Sequence, residues 1–301
     1  MRNLAVLLLN LNLNTIESFN TTFLHSNTIL SKRIQSQTKV YTDSQRFFRT
    51  TPLTMTYKAW TCDGSSNIEL IQHLHEAGIV KHQEVFQALA AVDRKNYIKD
   101  IKNAYIDAPQ SIGKGQTISA PHMHAHALEE ILPRLIDVSK NSKDGEGEMK
   151  ILDVGCGSGY LTACFGRLID VLGCGNGKVF GIDVIPQLVE LSTNNIMKQD
   201  KDLILSNRVT LARADGWNGL AEQAPYDAIH VGAAAESFPS NLMMQLKVNG
   251  IMIIPVGPDG GIQTLYKVER LRESDQYNAQ DFQIEKLLGV RYVPLVKTKD
   301  W

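Results

Sequence analysis

From Lys150 to the C-terminus, short apolar runs alternate with longer stretches whose apolar residues recur every three or four positions. The runs at 151–154, 179–182, 209–212, 228–231 and 251–256 have the length and composition of buried strands, whereas 160–171, 186–197 and 239–246 carry a helical period. This alternation predicts an α/β fold, a doubly wound Rossmann-like parallel sheet whose ligands bind at the carboxyl ends of the strands. Two periodic segments, 68–77 closed by Gly78 and 85–92, precede any of these strands and predict an α-helical preface. Runs at 263–269 and 285–295 predict strands that return antiparallel along one edge. Residues 139–148 are polar and glycine-bearing, the pattern of a solvated loop. The chain therefore divides into a leader, 1–54, and one larger domain, 55–301. The domain comprises the preface with its following segment (55–149) and the sheet with its edge strands (150–301).

The leader is rich in Asn, Ser and Thr. It holds six basic side chains (Arg2, Lys32, Arg33, Lys39, Arg46, Arg49) and two acidic ones, Glu17 and Asp43. With 31 Lys and Arg against 32 Asp and Glu in the whole chain, the remainder is mildly acidic. Such a body lacks the clustered basic face that a phosphate backbone requires, which weighs against a nucleic-acid partner. Three readings of the leader stay open. It can be a secretory signal, although Asn10, Asn12 and Asn14 interrupt its apolar core, or a mitochondrial presequence ending in the acid-poor run Gln45-Arg46-Phe47-Phe48-Arg49-Thr50. It can equally be a polar tail without local structure. The expected location is the cytoplasm, with the mitochondrion as the alternative. Cys62, Cys156, Cys164 and Cys174 show no Cys-x-x-Cys spacing, which reads as reduced thiols rather than a disulfide framework. No apolar run reaches the ~18–20 residues of a membrane span, so no membrane partner is expected.

Candidate chemistry begins at Asp153-Val154-Gly155-Cys156-Gly157-Ser158-Gly159, a strand that ends in a glycine turn and opens into a helix. Glycines there let the backbone take positive φ and approach a ligand closely. A dinucleotide site wants G-x-G-x-x-G, with pyrophosphate resting on the helix N-terminus. Here the third glycine comes one residue early, and Asp153 stands beside the loop. An acid in that place repels pyrophosphate and suits a cationic, phosphate-free ligand, which S-adenosylmethionine is. Asp183 closes the second strand, where an acid can accept both ribose hydroxyls, and Asp215-Gly216 closes the third, within reach of an adenine. Each acid can also simply cap its turn, but the three together favour the ligand.

Upstream, residues 111–124 carry closely spaced backbone amides, one central serine and little acid or base. Displacement at a sulfonium methyl needs a nucleophile close and in line, so placement does most of the work. An amine or hydroxyl acceptor usually needs a base as well. A carboxylate is already anionic, and the amides and hydroxyl of 113–119 suit one by hydrogen bonding. Ser119 would then orient the acceptor oxygen without acting as a nucleophile. It can equally serve as the N-cap of a helix opening at Ala120-Pro121, and spacing alone leaves both roles open. His122, His124 and His126 lack a nearby acidic or cysteine ligand, so surface or packing roles are expected and no metal.

The blocks 107–113 (DAPQSIG), 116–121 (QTISAP), 153–159 (DVGCGSG), 226–234 (YDAIHVGAA), 254–258 (IPVGP) and 292–295 (YVPL) resemble those of the protein-L-isoaspartate (D-aspartate) O-methyltransferases. The first two are specific to that family, and the resemblance spans about residues 57–301. It implies methylation of the α-carboxylate of isoaspartyl residues in damaged proteins and peptides by S-adenosylmethionine, with the ester collapsing to a succinimide that can reopen to aspartate. It implies that Ser119 is the active-site serine. On the cofactor side it implies Ile112, Gly113, His124, Gly155, Asp183, Asp215 and Gly216, joined by Lys114, Gly115, Asp153, Cys156, Gly157 and Ser158 from the same two loops. The peptide is expected to lie against Ile118, Ala120 and Val293, and the enzyme to be a monomer. Cys156 departs from the family's usual serine, and a thiol there is a candidate for oxidation. The 141–147 loop is longer than usual. Alternatives are a non-catalytic relative that recognises substrates for a ubiquitin ligase, and a methyltransferase for RNA or small molecules.

Overall fold

The computed structural model describes residues 62–141 and 148–297. The leader and most of the polar loop at 139–148 lie outside the described residues.

The preface forms two helices, α1 (Asn67–Glu76) and α2 (Gln83–Ala91). Ser66 caps α1 by accepting from the Glu69 amide, and Leu70, Ile71 and Leu74 make up its buried face. Next comes an antiparallel hairpin, β1 (Gln110–Gly113) and β2 (Gln116–Ile118), followed by the long helix α3 (Pro121–Asn141). The core then alternates as β3 (Lys150–Val154), α4 (Tyr160–Val171), β4 (Lys178–Asp183), α5 (Pro186–Gln199), α6 (Lys201–Leu205), β5 (Val209–Arg213), β6 (Tyr226–Val231), α7 (Ser240–Met244) and β7 (Leu246–Val256). Strands β8 (Gln263–Arg270) and β9 (Phe282–Val290) complete one seven-stranded sheet in the order β5-β4-β3-β6-β7-β8-β9. Pairing is parallel from β5 through β7 and antiparallel at β8 and β9, the edge expected from the tail.

Among the boundaries that differ from the expectation, two stand out. The last strand ends at Val290, and Tyr292–Leu295 runs on as a strap. Ala234 donates to the Val293 carbonyl and accepts from the Leu295 amide, both at 2.8 Å. The helix expected over 239–246 stops at Met244. Buried Arg270 reaches across from β8 to the carbonyls of Met244 (3.0 Å) and Leu246 (2.8 Å), which hands the chain to the sheet. Asn249, at φ 62°, then kinks β7 before its apolar run. That helical period came from packing residues on both sides of a turn.

Register brings the site together. Val154 pairs with Ile182 on β4 and Val231 on β6, so three carboxyl ends meet at one level. Beyond β3 the chain stays in the sheet's hydrogen-bond lattice: Gly155 and Cys156 donate to the Ile182 carbonyl at 2.8 and 3.0 Å, and Gly232 donates to that of Val154 at 2.8 Å.

Candidate active site

The loop after β3 is shaped by three glycines in the left-handed region, Gly155 (φ 76°), Gly157 (φ 54°) and Gly159 (φ 82°). A Cβ at Gly157 would stand 3.2 Å from Ile112 Cδ1, and one at Gly159 would stand 2.9–3.1 Å from Ser192 on α5. The first glycine keeps a slot open above the loop, and the last lets α4 begin directly against α5. Below the loop, both carboxylate oxygens of buried Asp153 are engaged, one by His230 Nδ1 at 2.8 Å and one by the Thr162 hydroxyl at 2.5 Å. Ser158 is buried, its hydroxyl accepting from the Tyr160 amide and its carbonyl from Asn195. Cys156 is buried beside Ser192, and burial pushes its thiol well above the ordinary range. The oxidation expected of an accessible thiol therefore does not apply to it.

At the end of β4, Asp183 accepts from the Gly157 amide at 3.1 Å and the Ile185 amide at 3.0 Å. Burial raises its pKa, opposed by these backbone donors. With a third backbone donor from Val184, the carboxylate keeps about one of its four lone-pair sites for a further donor. Asp215 does cap its own turn, accepting from the Trp217 amide at 3.0 Å. Gly216, its neighbour, lines the pocket, where a Cβ would press on Val154 and Leu295 at 2.7 and 2.8 Å.

The β1–β2 hairpin forms the opposite wall. Ile112 enters the pocket, and Gln116 and Thr117 line it. Gly113 lies at the end of β1, and Lys114 and Gly115 form the exposed turn outside that lining. Ile118 and Ala120 are buried on either side of half-buried Ser119. The first turn of α3 is capped by Asp107, whose Oδ1 accepts from the His122 amide at 2.9 Å. Ser119 is thus not the helix cap. Its carbonyl accepts from Arg94 Nη2 at 2.9 Å, and its hydroxyl shares a hydrogen bond with Tyr292, whose phenol burial pushes up to about 12. His124 is buried, its ring 5.1 Å from that of Tyr160, and burial with the nearby Arg94 charge drives its pKa well below the usual range. His122 pairs with Asp107 at 2.8 Å, and His126 faces Glu130 at 3.7 Å.

The strap supplies the remaining wall. Val293 through Val296 line the pocket, and Trp217 Nε1 fixes the strap by donating to the Leu295 carbonyl at 2.8 Å. Among the described lining residues Asp183 is the only charged one, and no Lys or Arg lines the pocket. Glycine backbone, apolar walls and a carboxylate with spare acceptor capacity fit an adenosine with a cationic tail and do not fit a pyrophosphate.

Of the residues expected from sequence, Ile112, Gly155, Gly157, Asp183, Gly216 and Val293 line one pocket. Asp153, Cys156 and Ser158 stand behind the loop they shape. Ser119 follows the lining residue Thr117 by two positions, and His124 packs behind it. Arg94, Asp107, His230 and the Tyr292 side chain were not anticipated, because an isolated buried polar residue has no sequence signature of its own.

Comparison with known proteins identifies the family. The family model for protein-L-isoaspartate(D-aspartate) O-methyltransferase matches residues 65–300. The chain is similar to the protein-L-isoaspartate O-methyltransferase of Caenorhabditis elegans, 38% identical over 80% of this chain and 97% of that one. It is also similar to protein-L-isoaspartate O-methyltransferase 1 of Arabidopsis thaliana, 40% identical over 77% and 91%. A Plasmodium falciparum protein-L-isoaspartate O-methyltransferase, solved with S-adenosyl-L-homocysteine, superposes with a TM-score of 0.65 and 34% identity, covering 78% of this chain and all of its own.

Proposed function

The chain belongs to the protein-L-isoaspartate(D-aspartate) O-methyltransferase family, and from that premise we propose the residue roles by which it methylates isoaspartyl carboxylates. The enzyme is a protein-repair methyltransferase that uses S-adenosylmethionine and acts on isoaspartyl proteins. When bound, S-adenosylmethionine supplies a sulfonium methyl whose C–S electron pair leaves with sulfur as the acceptor oxygen forms the new C–O bond. The resulting ester closes by attack of the next peptide nitrogen, losing methanol to give a succinimide.

The chain's own residues bind, place and exclude. Gly155 supplies the left-handed turn, Gly157 presents backbone where a side chain would crowd Ile112, and Asp183 accepts from the ribose with its remaining lone pair. Gly216 and the strap enclose the base. Asp153 holds the loop from below, and its charge favours a cationic ligand over an anionic one. The Ser119 hydroxyl turns from Tyr292 to one carboxylate oxygen of the acceptor and fixes which lone pair faces the methyl. The peptide backbone runs between the 118–120 segment and the strap.

No proton has to be removed from a carboxylate, and none of these groups is set up to remove one. The phenol of Tyr292 holds its proton up to about pH 12. His124 is neutral, but it lies buried behind the wall. The observation that carries this reading is the meeting of Ile112 and Gly157 at one slot, with Ser119 at the exit of the same hairpin's second strand. Incubation with methyl-labelled S-adenosylmethionine and paired peptides tests it: the isoaspartyl peptide should take up label while its aspartyl twin does not. Equal labelling of both would refute the assignment.

A further inference from the structure

Arg94 is fully buried, yet among the described residues no carboxylate hydrogen-bonds to its guanidinium. Its guanidinium does three things at once. Nη2 donates to the Ser119 carbonyl at 2.9 Å, Nη1 lies 3.4 Å from His124 Nδ1, and the plane sits 5.3 Å from the centroid of the Tyr160 ring. Its backbone is pinned from below: buried Asn67 accepts from the Arg94 amide at 3.3 Å and donates to the carbonyls of Leu89 and Val92 at 3.2 and 3.1 Å. A charge held this way is costly to bury, and the contacts to Ser119, His124 and Tyr160 are what offset the cost.

We infer that Arg94 is a positioning residue that sets Ser119 and the tautomer of His124 together, joining the acceptor wall to the cofactor wall. This rests on the function proposed above. A guanidinium has donors and no acceptor, so His124 Nδ1 must present its lone pair to it. The neutral ring then carries its proton on Nε2, the nitrogen turned away from Arg94. Protonation of Nδ1 would set two cations against each other. On the other arm, the bond to the Ser119 carbonyl fixes the peptide plane between Ser119 and Ala120, and with it the direction of the Ser119 side chain. A lysine, with a point charge in place of a fork, cannot hold both partners in this geometry.

The native protein supplies the first test. Nitrogen-15 NMR of the imidazoles should show His124 with a bare Nδ1 and a protonated Nε2, unchanged from pH 8 down to about 5.5. A proton on Nδ1, or titration of His124 near neutrality, would overturn the inference whatever the activity. The second test uses Arg94→Lys and Arg94→Met, checked for native melting, with Asn67→Ala to loosen Arg94 while keeping its charge. In Arg94→Lys, kcat should fall at least tenfold and the His124 nitrogens should lose their single-tautomer signature, with KM for the isoaspartyl peptide changing less than kcat. Asn67→Ala should show the same pattern more weakly. Unchanged kcat and unchanged His124 spectra in folded Arg94→Lys would refute the positioning role. A wild type that fails to label isoaspartyl peptide would instead refute the function, leaving the tautomer result to stand or fall separately.

Discussion

At the scale of single residues, Ser119 and Asp183 divide the work between acceptor and cofactor. Ser119→Ala removes a hydroxyl whose partner in the free protein is the phenol of Tyr292. It should lower kcat by about 10–100-fold, the worth of one orienting hydrogen bond to a charged group. Calorimetric affinity for S-adenosylhomocysteine should stay within about twofold of wild type, and a parallel collapse of binding would show that Ser119 supports the pocket itself. Asp183→Ala should show the reverse emphasis, weakening cofactor binding by about 10–100-fold in the same titration. Asp183 was legible in the sequence because an acid at the end of the second strand has a positional meaning. Ser119 was legible as a position but not as a role, since Ala120-Pro121 equally announces a helix start. Asp107 settles the matter from fifteen residues upstream by capping α3 itself. Nothing in a linear reading joins those two positions.

At the scale of elements, the glycine turn between β3 and α4 is the most demanding piece. Gly159 combines a left-handed backbone with the body of α5 at contact distance. Gly159→Ala should therefore destabilise the protein by about 2–4 kcal/mol, from backbone strain together with overpacking. Gly78 also has a left-handed φ of 73°, but a Cβ there would meet nothing within 4 Å. Gly78→Ala should cost only about 1 kcal/mol, and urea unfolding of the two variants separates the contributions. Equal losses would mean that packing against Ser192 is irrelevant. Helix α4 was readable to the residue, since its apolar period runs from a glycine turn to a glycine stop. The β1–β2 hairpin was not, because four- and three-residue strands are too short to show a period. The strap reads as strand because it is apolar, but it makes only a single parallel bridge, Pro294 with Ala234, and its residues line the pocket.

At the scale of the whole molecule, the preface is fastened to the core by a buried ionic knot. Arg167 on α4 holds Asp200 at 2.8 Å, and the other Asp200 oxygen accepts from the Tyr97 hydroxyl at 2.7 Å. Asp200→Ala would leave a buried guanidinium and the Tyr97 hydroxyl without their buried partner and should cost about 3 kcal/mol. Asp202, which also touches Arg167 but is 57% exposed, should cost less than about 1 kcal/mol on the same replacement. Such long-range pairs are what sequence patterns cannot reveal, since residues 97, 167 and 200 belong to three separately periodic segments. The parallel sheet and its antiparallel edge followed from alternation, and the binding edge followed from the sheet, whereas the strand order is visible only in the structure.

The idea that unites these scales is that the enzyme places a carboxylate and needs no base. The most direct measurement is the initial rate of methyl transfer to an isoaspartyl peptide between about pH 7 and 9, where an ordinary carboxylate is fully ionised. Burial and Arg94 keep His124 neutral above its lowered pKa, and the Tyr292 phenol keeps its proton to about 12, so neither group changes charge in that window. The expected kcat is flat across it. A kcat that climbs about tenfold per pH unit would contradict placement without proton removal and require a general base in the site.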